Sequence, residues 1–189
     1  MKVRSAVAMT AVLVCVLLYP AGAGLCASVD EDRAAQVKAA YLYHLARLAH
    51  WPDGAFSSEQ DSLRIGVLGK DRRDLVGLFL NTEHELKAGE HPFCIERIDD
   101  DHDTLRQYHI VFFTESTDVE ALRYLDDDDL CGVLLAGEIE DFCEHGGMVG
   151  FKIDGGRVRI EVNQEALSRG GIRLGAEFLQ HATLVEGRR

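Results

Sequence analysis

The chain has 189 residues, 47% of them apolar, and 20 Lys and Arg set against 32 Asp and Glu give a formal charge of −12. That length suits one domain of about 100–200 residues, and the apolar fraction with only three prolines excludes a disordered chain. The acidic balance excludes nucleic acid as the main ligand, because phosphate-backbone binding needs clustered cations, and it argues equally against an anionic membrane surface.

Lys2 and Arg4 precede an apolar run over residues 6–19, which Pro20, Ala21, Gly22, Ala23 and Gly24 follow. This is the three-part pattern of a secretory signal. The run is 14 residues long, short of the roughly 20 that span a bilayer. Cleavage after Ala23 or after Ala27 fits the small-residue rule, while a lipid on Cys26 is disfavoured by the bulky Leu25 before it. The chain is therefore divided into a signal peptide over residues 1–27 and one domain over residues 28–189. Losing the signal removes two basic groups and no acid, so the mature charge becomes −14. A mature chain of this size buries about 70% of its unfolded surface, enough to fold without staples.

Val37, Tyr41, Leu45 and Leu48 repeat at helical spacing and predict an amphipathic helix over residues 31–50. Trp51-Pro52-Asp53-Gly54 ends it, since Pro52 disfavours helix before it and Asp-Gly suits a turn. Residues 63–68 read as a buried strand, and residues 71–81 as a helix with Asp71 as a cap and Leu75, Leu78 and Phe79 on one face. Strands are predicted over residues 92–98 and 108–113, then a helix over 117–125 and a strand over 130–135. This alternation is the pattern of a largely parallel sheet covered by helices.

The last third changes character. Residues 148–153 and 157–162 flank Asp154-Gly155-Gly156, a hairpin signal. In the second arm Val158, Ile160 and Val162 face one way and Arg157, Arg159 and Glu161 the other. Asn163 caps a short helix that Gly170-Gly171 ends, and Leu174, Phe178, Leu179 and Ala182 predict a closing amphipathic helix. The fold class is α/β: a single domain with a mostly parallel central sheet flanked by helices and a C-terminal β-hairpin.

Of five cysteines, Cys15 lies in the signal and Cys26 at its edge, leaving Cys94, Cys131 and Cys143. In an oxidising compartment pairing is the default. Cys94 and Cys131 both fall in strand-like runs, and a disulfide between them would contribute about 4 kcal/mol in the chain-entropy picture. Cys131 with Cys143 competes, and Cys26 joins the count if cleavage falls early. There is no Cys-x-x-Cys pair, so thiol redox catalysis has no support.

Other chemistry fails on the residues themselves. Gly66-Val67-Leu68-Gly69-Lys70 has the setting of a phosphate loop, but Arg64 takes the place of its first glycine and Asp71 that of the magnesium-binding hydroxyl. His84-Glu85-Leu86-Lys87-Ala88 lacks the second histidine of a zinc-protease helix. The acidic runs at residues 99–103 and 126–129 lack the ligand alternation of a calcium loop and read as solvated loops. No Gly-x-Ser-x-Gly elbow is present. The expectation is a protein with no catalytic residues, no metal and no cofactor, and so not an enzyme.

Several segments together resemble a known family. Residues 38–52, from Lys38-Ala39-Ala40-Tyr41 to His50-Trp51-Pro52, resemble the opening helix and Trp-Pro turn of YfiR-like periplasmic proteins. Ile65-Gly66-Val67-Leu68-Gly69, Gly146-Gly147-Met148-Val149-Gly150-Phe151 and Arg157-Val158-Arg159-Ile160-Glu161-Val162-Asn163 resemble three of their strands, and residues 172–182 their closing helix. The resemblance implies a periplasmic negative regulator that binds the periplasmic part of an inner-membrane signalling protein, a diguanylate cyclase, and so restrains cyclic-di-GMP signalling and biofilm formation. It implies redox control through disulfides as well, for which this chain has too few cysteines to form two secure internal bridges. A homodimer stays open as a second association. Trp51 and Phe151 are candidate aromatic anchors for the partner, with Arg157, Arg159 and Glu161 beside them on the hairpin's polar face. The alternative is a periplasmic domain that senses a small molecule at the carboxyl ends of its parallel strands, where open α/β sheets hold ligands.

Overall fold

A computed structural model describes residues 23–58, 61–81, 87–88 and 91–187, with side chains from residue 31 onward except within 82–90. Most of the predicted signal, the side chain of Cys26 and the His84 motif lie outside the described residues. Helix α1 (Ala23–Leu48) leads into strand β1 (Ala49–His50), then β2 (Leu63–Leu68), α2 (Leu75–Leu80), β3 (Lys87–Ala88), β4 (His91–Ile98) and α3 (His102–Leu105). Strand β5 (Ile110–Phe113) is followed by 3-10 turns at Val119–Asp126 and Asp128–Leu130, then β6 (Leu134–Gly137), β7 (Val149–Asp154) and β8 (Arg157–Asn163). Helix α4 (Gln164–Arg169), β9 (Arg173–Leu174), α5 (Ala176–Leu179) and β10 (Ala182–Val185) complete the chain.

The main sheet has eight strands in the order β10-β8-β7-β6-β5-β2-β4-β3. The five strands from β7 to β4 run parallel, and β8 and β3 turn antiparallel at the two sides. All four residues of β5 are fully buried, as are Leu63, Ile65, Val67 and Leu134. Such uninterrupted apolar runs belong to strands covered on both faces. The chain leaves β2 toward β4 and returns past β2 to β5, so right-handed crossovers place α2 on one face and α3 with the 3-10 turns on the other. Helix α1 packs beside α2, and His102 of α3 lies near Tyr124 of the first 3-10 turn, their rings tilted with centroids 6.0 Å apart.

The buried face of α1 differs from the predicted stripe. Ala35, Ala39, Leu42 and Ala46 lie against the core with Tyr43 and Leu45, while Val37, Tyr41 and Leu48 are only half-buried. Small residues win the core position because they let the helix sit close to the sheet. The larger ones flank it and meet Phe178 of α5 in a shallow apolar groove.

Three more expectations change. The helix predicted over residues 117–125 is a 3-10 turn, and the strand predicted from residue 130 starts at Leu134, because Asp127 and Asp128 open a second 3-10 turn through Leu130. The predicted closing helix is a single turn, α5, since Leu174 is used in β9 against Ala49 and Gly175 is extended at ψ 145. The residues after it form β10, parallel to β8 with Ala182 opposite Ile160. The β7–β8 hairpin is as predicted, its turn made by Gly155 and Gly156 at φ 55 and 75, a pair of conformations that glycine adopts without strain.

If α1 packs through its alanine face, Ala39→Leu should cost about 1–3 kcal/mol by overpacking. The same change at the exposed neighbour Ala40 should stay within about 0.5 kcal/mol. Urea denaturation of both variants checks the assignment.

Candidate functional site

The carboxyl ends of β2, β5 and β6 open into a cleft of about 170 Å³ between α1 and the loops that follow these strands. It lies where the strand order reverses, between β2 and β5, the position at which open α/β sheets hold ligands. Lys38 of α1 reaches across it to an ion pair with Glu138 after β6, both side chains 13% exposed. Glu138 also accepts the amide of Glu115 at 3.1 Å, which ties the loop after β5 to the loop after β6. Lys70 and Arg72 line the cleft from the loop after β2, and neither makes an ion pair among the described residues. Ile153 of β7 closes one side, 51% exposed. A second hollow of about 250 Å³ shares Lys38, Glu115, Glu138 and Ile153 with it and continues past Asp141 and Lys152 to Glu161.

The loop after β2 shows why it is not a phosphate site. Asp71 sits with its carboxylate almost fully buried and accepts the Leu75 amide at 2.6 Å and the Val76 amide at 3.1 Å. The protein's own carboxylate fills the place an anion would take, and Arg97 neutralises it at 3.1 Å.

The five residues predicted to meet a partner separate. Phe151 is 2% exposed and packs edge-on against Phe112, so it is a core residue and not an exposed anchor. Trp51 is half-buried, with its indole N–H donating to the His109 carbonyl at 3.2 Å and its ring edge-on to Phe56. Arg157 and Arg159 are exposed on β8, Arg159 pairing with Asp154 at 3.6 Å. Glu161 is half-buried and turns toward the second hollow. The hairpin therefore offers Lys152, Ile153, Asp154, Arg157 and Arg159 to solvent, and the sequence reading missed the exposed Lys152 and Ile153. Their alternation with buried Phe151 was the signal, but it breaks because β7 is buried only at Val149, Gly150 and Phe151.

Cys94, Cys131 and Cys143 are all unbonded. The predicted Cys94–Cys131 bridge fails on topology: β2 and β5 separate β4 from β6, so three strand spacings of about 4.8 Å hold them well beyond the roughly 7 Å that a disulfide spans. Cys131 also lies in the turn before β6, exposed, rather than in a strand. Cys143 is buried with its thiol donating to the Glu161 carbonyl at 3.5 Å. Burial first, and the Glu161 charge second, push that thiol up to about 12.

His102, Asp127 and Asp129 bring one donor atom each within 4.8 Å of one another. Both Asp127 oxygens are already used, one by the Asp129 amide at 2.9 Å and the other by His102 Nε2 at 2.9 Å.

The chain belongs to the YfiR/HmsC-like family. It matches that family over residues 35–183, from the middle of α1 into β10. The YfiR/HmsC-like proteins are periplasmic regulators of cyclic-di-GMP signalling rather than enzymes. Among the described residues, no helix is long and apolar enough to cross a membrane. No curated protein matches the chain. Two solved structures are similar to it at 11% identity. One is the ABC domain in complex with L-Trp from Streptococcus pneumonia, with a TM-score of 0.46 over 80% of this chain and 62% of that one. The other is a conserved domain protein from Vibrio cholerae, with a TM-score of 0.39 over 65% of this chain and 54% of that one. The chain thus spans less than two thirds of either.

The Gly-Gly-Met segment has a packing reason. Gly146 turns at φ 105, and a side chain on Gly147 would come within 2.3 Å of the Phe142 ring, so Phe142 can cover the end of β6 only over a bare backbone.

Two measurements test this geometry. Lys38→Met leaves the Glu138 carboxylate unpaired and should cost about 3 kcal/mol, whereas a double variant with Glu138→Leu should recover much of it. In a thiol-labelling assay at neutral pH on the native protein, Cys131 should react quickly and Cys143 only after unfolding.

Proposed function

We propose that the chain is a periplasmic regulatory binding protein that represses an inner-membrane signalling protein, a diguanylate cyclase, and so restrains cyclic-di-GMP synthesis and biofilm formation. The observation that carries this reading is the family match, which runs through the sheet from α1 to β10 and includes both arms of the hairpin. The hairpin supports it physically: Arg157 and Arg159 project from β8 on the same face as Lys152, a cationic patch on an acidic protein, while Ile153, opposite Val158, is exposed on the hairpin's other face. A regulator of this kind needs a surface rather than a reaction centre, and an exposed Arg-rich patch suits a protein partner. Deleting the gene should raise cyclic-di-GMP and biofilm, and the tagged protein should co-purify with a membrane cyclase. Reversing charge with Arg157→Glu and Arg159→Glu together should weaken that capture at least about tenfold, or about 1.4 kcal/mol. Unchanged cyclic-di-GMP with no membrane partner captured would count against the cyclase.

A second reading has its own support in the cleft at the carboxyl ends of β2, β5 and β6, whose Lys70 and Arg72 make no ion pair among the described residues. In this reading the domain senses a small charged molecule there and transmits it to the partner surface through Ile153. Thermal-shift screening with metabolites, peptidoglycan fragments and nucleotides separates the two, since a ligand at 100 times its dissociation constant adds about 2.7 kcal/mol. A flat response across all of them leaves the protein-binding reading alone.

A further inference from the structure

We propose that His109, with Phe56, forms an acid-sensitive clamp at the amino-terminal edge of the sheet: protonation of the His109 ring releases the segment of residues 51–58 that follows α1.

His109 sits just before β5 and joins several parts of the fold. Its backbone N–H donates to the Arg64 carbonyl at 2.9 Å, and its carbonyl accepts from Leu134 N–H at 2.8 Å and from the Trp51 indole at 3.2 Å. Its ring is held at both nitrogens: Nδ1 accepts the Arg64 amide at 3.0 Å, and Nε2 faces the Ala55 carbonyl at 3.1 Å. An amide N–H can donate only to an unprotonated ring nitrogen, so this arrangement requires the neutral ring with its proton on Nε2. The ring face stacks on Phe56, with centroids 4.2 Å apart and planes 11° from parallel. On the other face of Phe56 lies His91 of β4, at 3.9 Å and 17°. Phe56 is thus held between two imidazoles, and through it the segment after α1 is fastened to β4 and β5.

Adding a proton at Nδ1 sets a ring N–H against the Arg64 N–H, so two donors face each other in a half-buried site and the amide loses its acceptor. Burial already holds His109 below the ordinary imidazole range, and the charges of His91 and Arg64 act in the same direction. The Ala55 carbonyl and the Asp61 carboxylate oppose them. Around this centre stand Arg64 on β2, His91 on β4 with Nδ1 2.8 Å from the Asp61 carbonyl, and Asp61 itself. Asp53, Arg106 and Cys131 line the hollow beneath. Glu96 of β4 holds Arg64 at 3.4 Å and the Tyr108 hydroxyl at 3.0 Å. Asp61 accepts the Ser57 and Ser58 amides and the Ser58 hydroxyl, which hold its carboxyl below the usual range, so it keeps its charge while His109 titrates.

The sign follows from linkage. The released segment leaves His109 with an ordinary value near 6.5, above its value in the clamp, so the open form binds more protons. The clamp's contribution is complete above about pH 6.5 and is lost as pH falls from there through the lower value of the closed form.

Trp51, the chain's single tryptophan, reports on this site, since its ring lies edge-on to His109 at 6.0 Å. The full-length exported protein is titrated from pH 8 to 5 by tryptophan emission, with far-UV circular dichroism to confirm that the domain stays folded. The expected result is a reversible change in emission with a midpoint below 6.5, absent in His109→Asn, whose amide oxygen can accept from Arg64 N–H but does not titrate. Hydrogen exchange on the wild-type protein gives a second test that needs no variant. The protection factor of the Arg64 amide should fall by up to about tenfold per pH unit as pH drops from about 6.5 toward the closed form's lower value, while that of Ile110 in β5 stays constant. A flat emission profile, the same titration in His109→Asn, or constant protection at Arg64 would overturn the clamp.

Discussion

The molecule depends on one constraint: the central parallel strands must be hidden from water on both faces. Ile110 to Phe113 of β5 and Leu63 to Leu68 of β2 carry almost no polar side chain, and a strand of that composition is stable only between two layers. One layer is supplied by α1 and α2 and the other by α3 and the 3-10 turns. The need for close cover explains why α1 turns its alanines inward, and why Gly147 has no side chain where Phe142 lies down on it. The two ends of these strands are left as the places where polar chemistry can gather, because strand termini are the only parts of the layer the helices do not cover.

The two ends have been used differently. At the carboxyl ends the side chains are long and charged, and the Lys38–Glu138 pair connects a helix on one face with the loop that leaves β6. At the amino ends the central groups are flat rings held by stacking and by bonds to backbone atoms, with charged side chains around them. A charged, partly open end suits contact with something outside the protein. A stacked, hydrogen-bonded end suits the holding of internal geometry, and its cohesion is set by the protonation of a ring rather than mainly by an ion pair that salt would screen.

Much of this was legible in the chain. The alternation of apolar runs with helical spacing gave the strand order in sequence, and Asp154-Gly155-Gly156 gave the hairpin, because both signals are local. What escaped was set by distant partners. The spacing of Val37, Tyr41, Leu45 and Leu48 marks a real apolar side of α1, but which side meets the sheet depends on how near the helix can approach. Leu174, Phe178, Leu179 and Ala182 keep helical spacing only until Leu174 is taken by Ala49 and Ala182 by Ile160, pairings across more than a hundred residues in the first case. Phe151 looked available for a partner because alternation alone does not say which face of a hairpin is covered. Cys94 and Cys131 looked joinable because nothing in their spacing shows that two strands are inserted between β4 and β6. The place of the cleft, at the carboxyl ends of the parallel strands, was anticipated, but its lining escaped for the same reason, since Lys38, Lys70 and Glu138 come from three separate segments.

The short ladder between β1 and β9, with Gly175 N–H donating to the Leu48 carbonyl at 2.9 Å, joins the end of the first helix to the last stretch of the chain. It sets an order of events in time. The first helix and the first strand are made early, yet the register that fixes α1 cannot close until residues 173–175 are present, and β10 can add to the sheet only after that. Contacts so far apart in sequence form slowly. The early segments therefore have no finished structure to adopt until the last ones have been made.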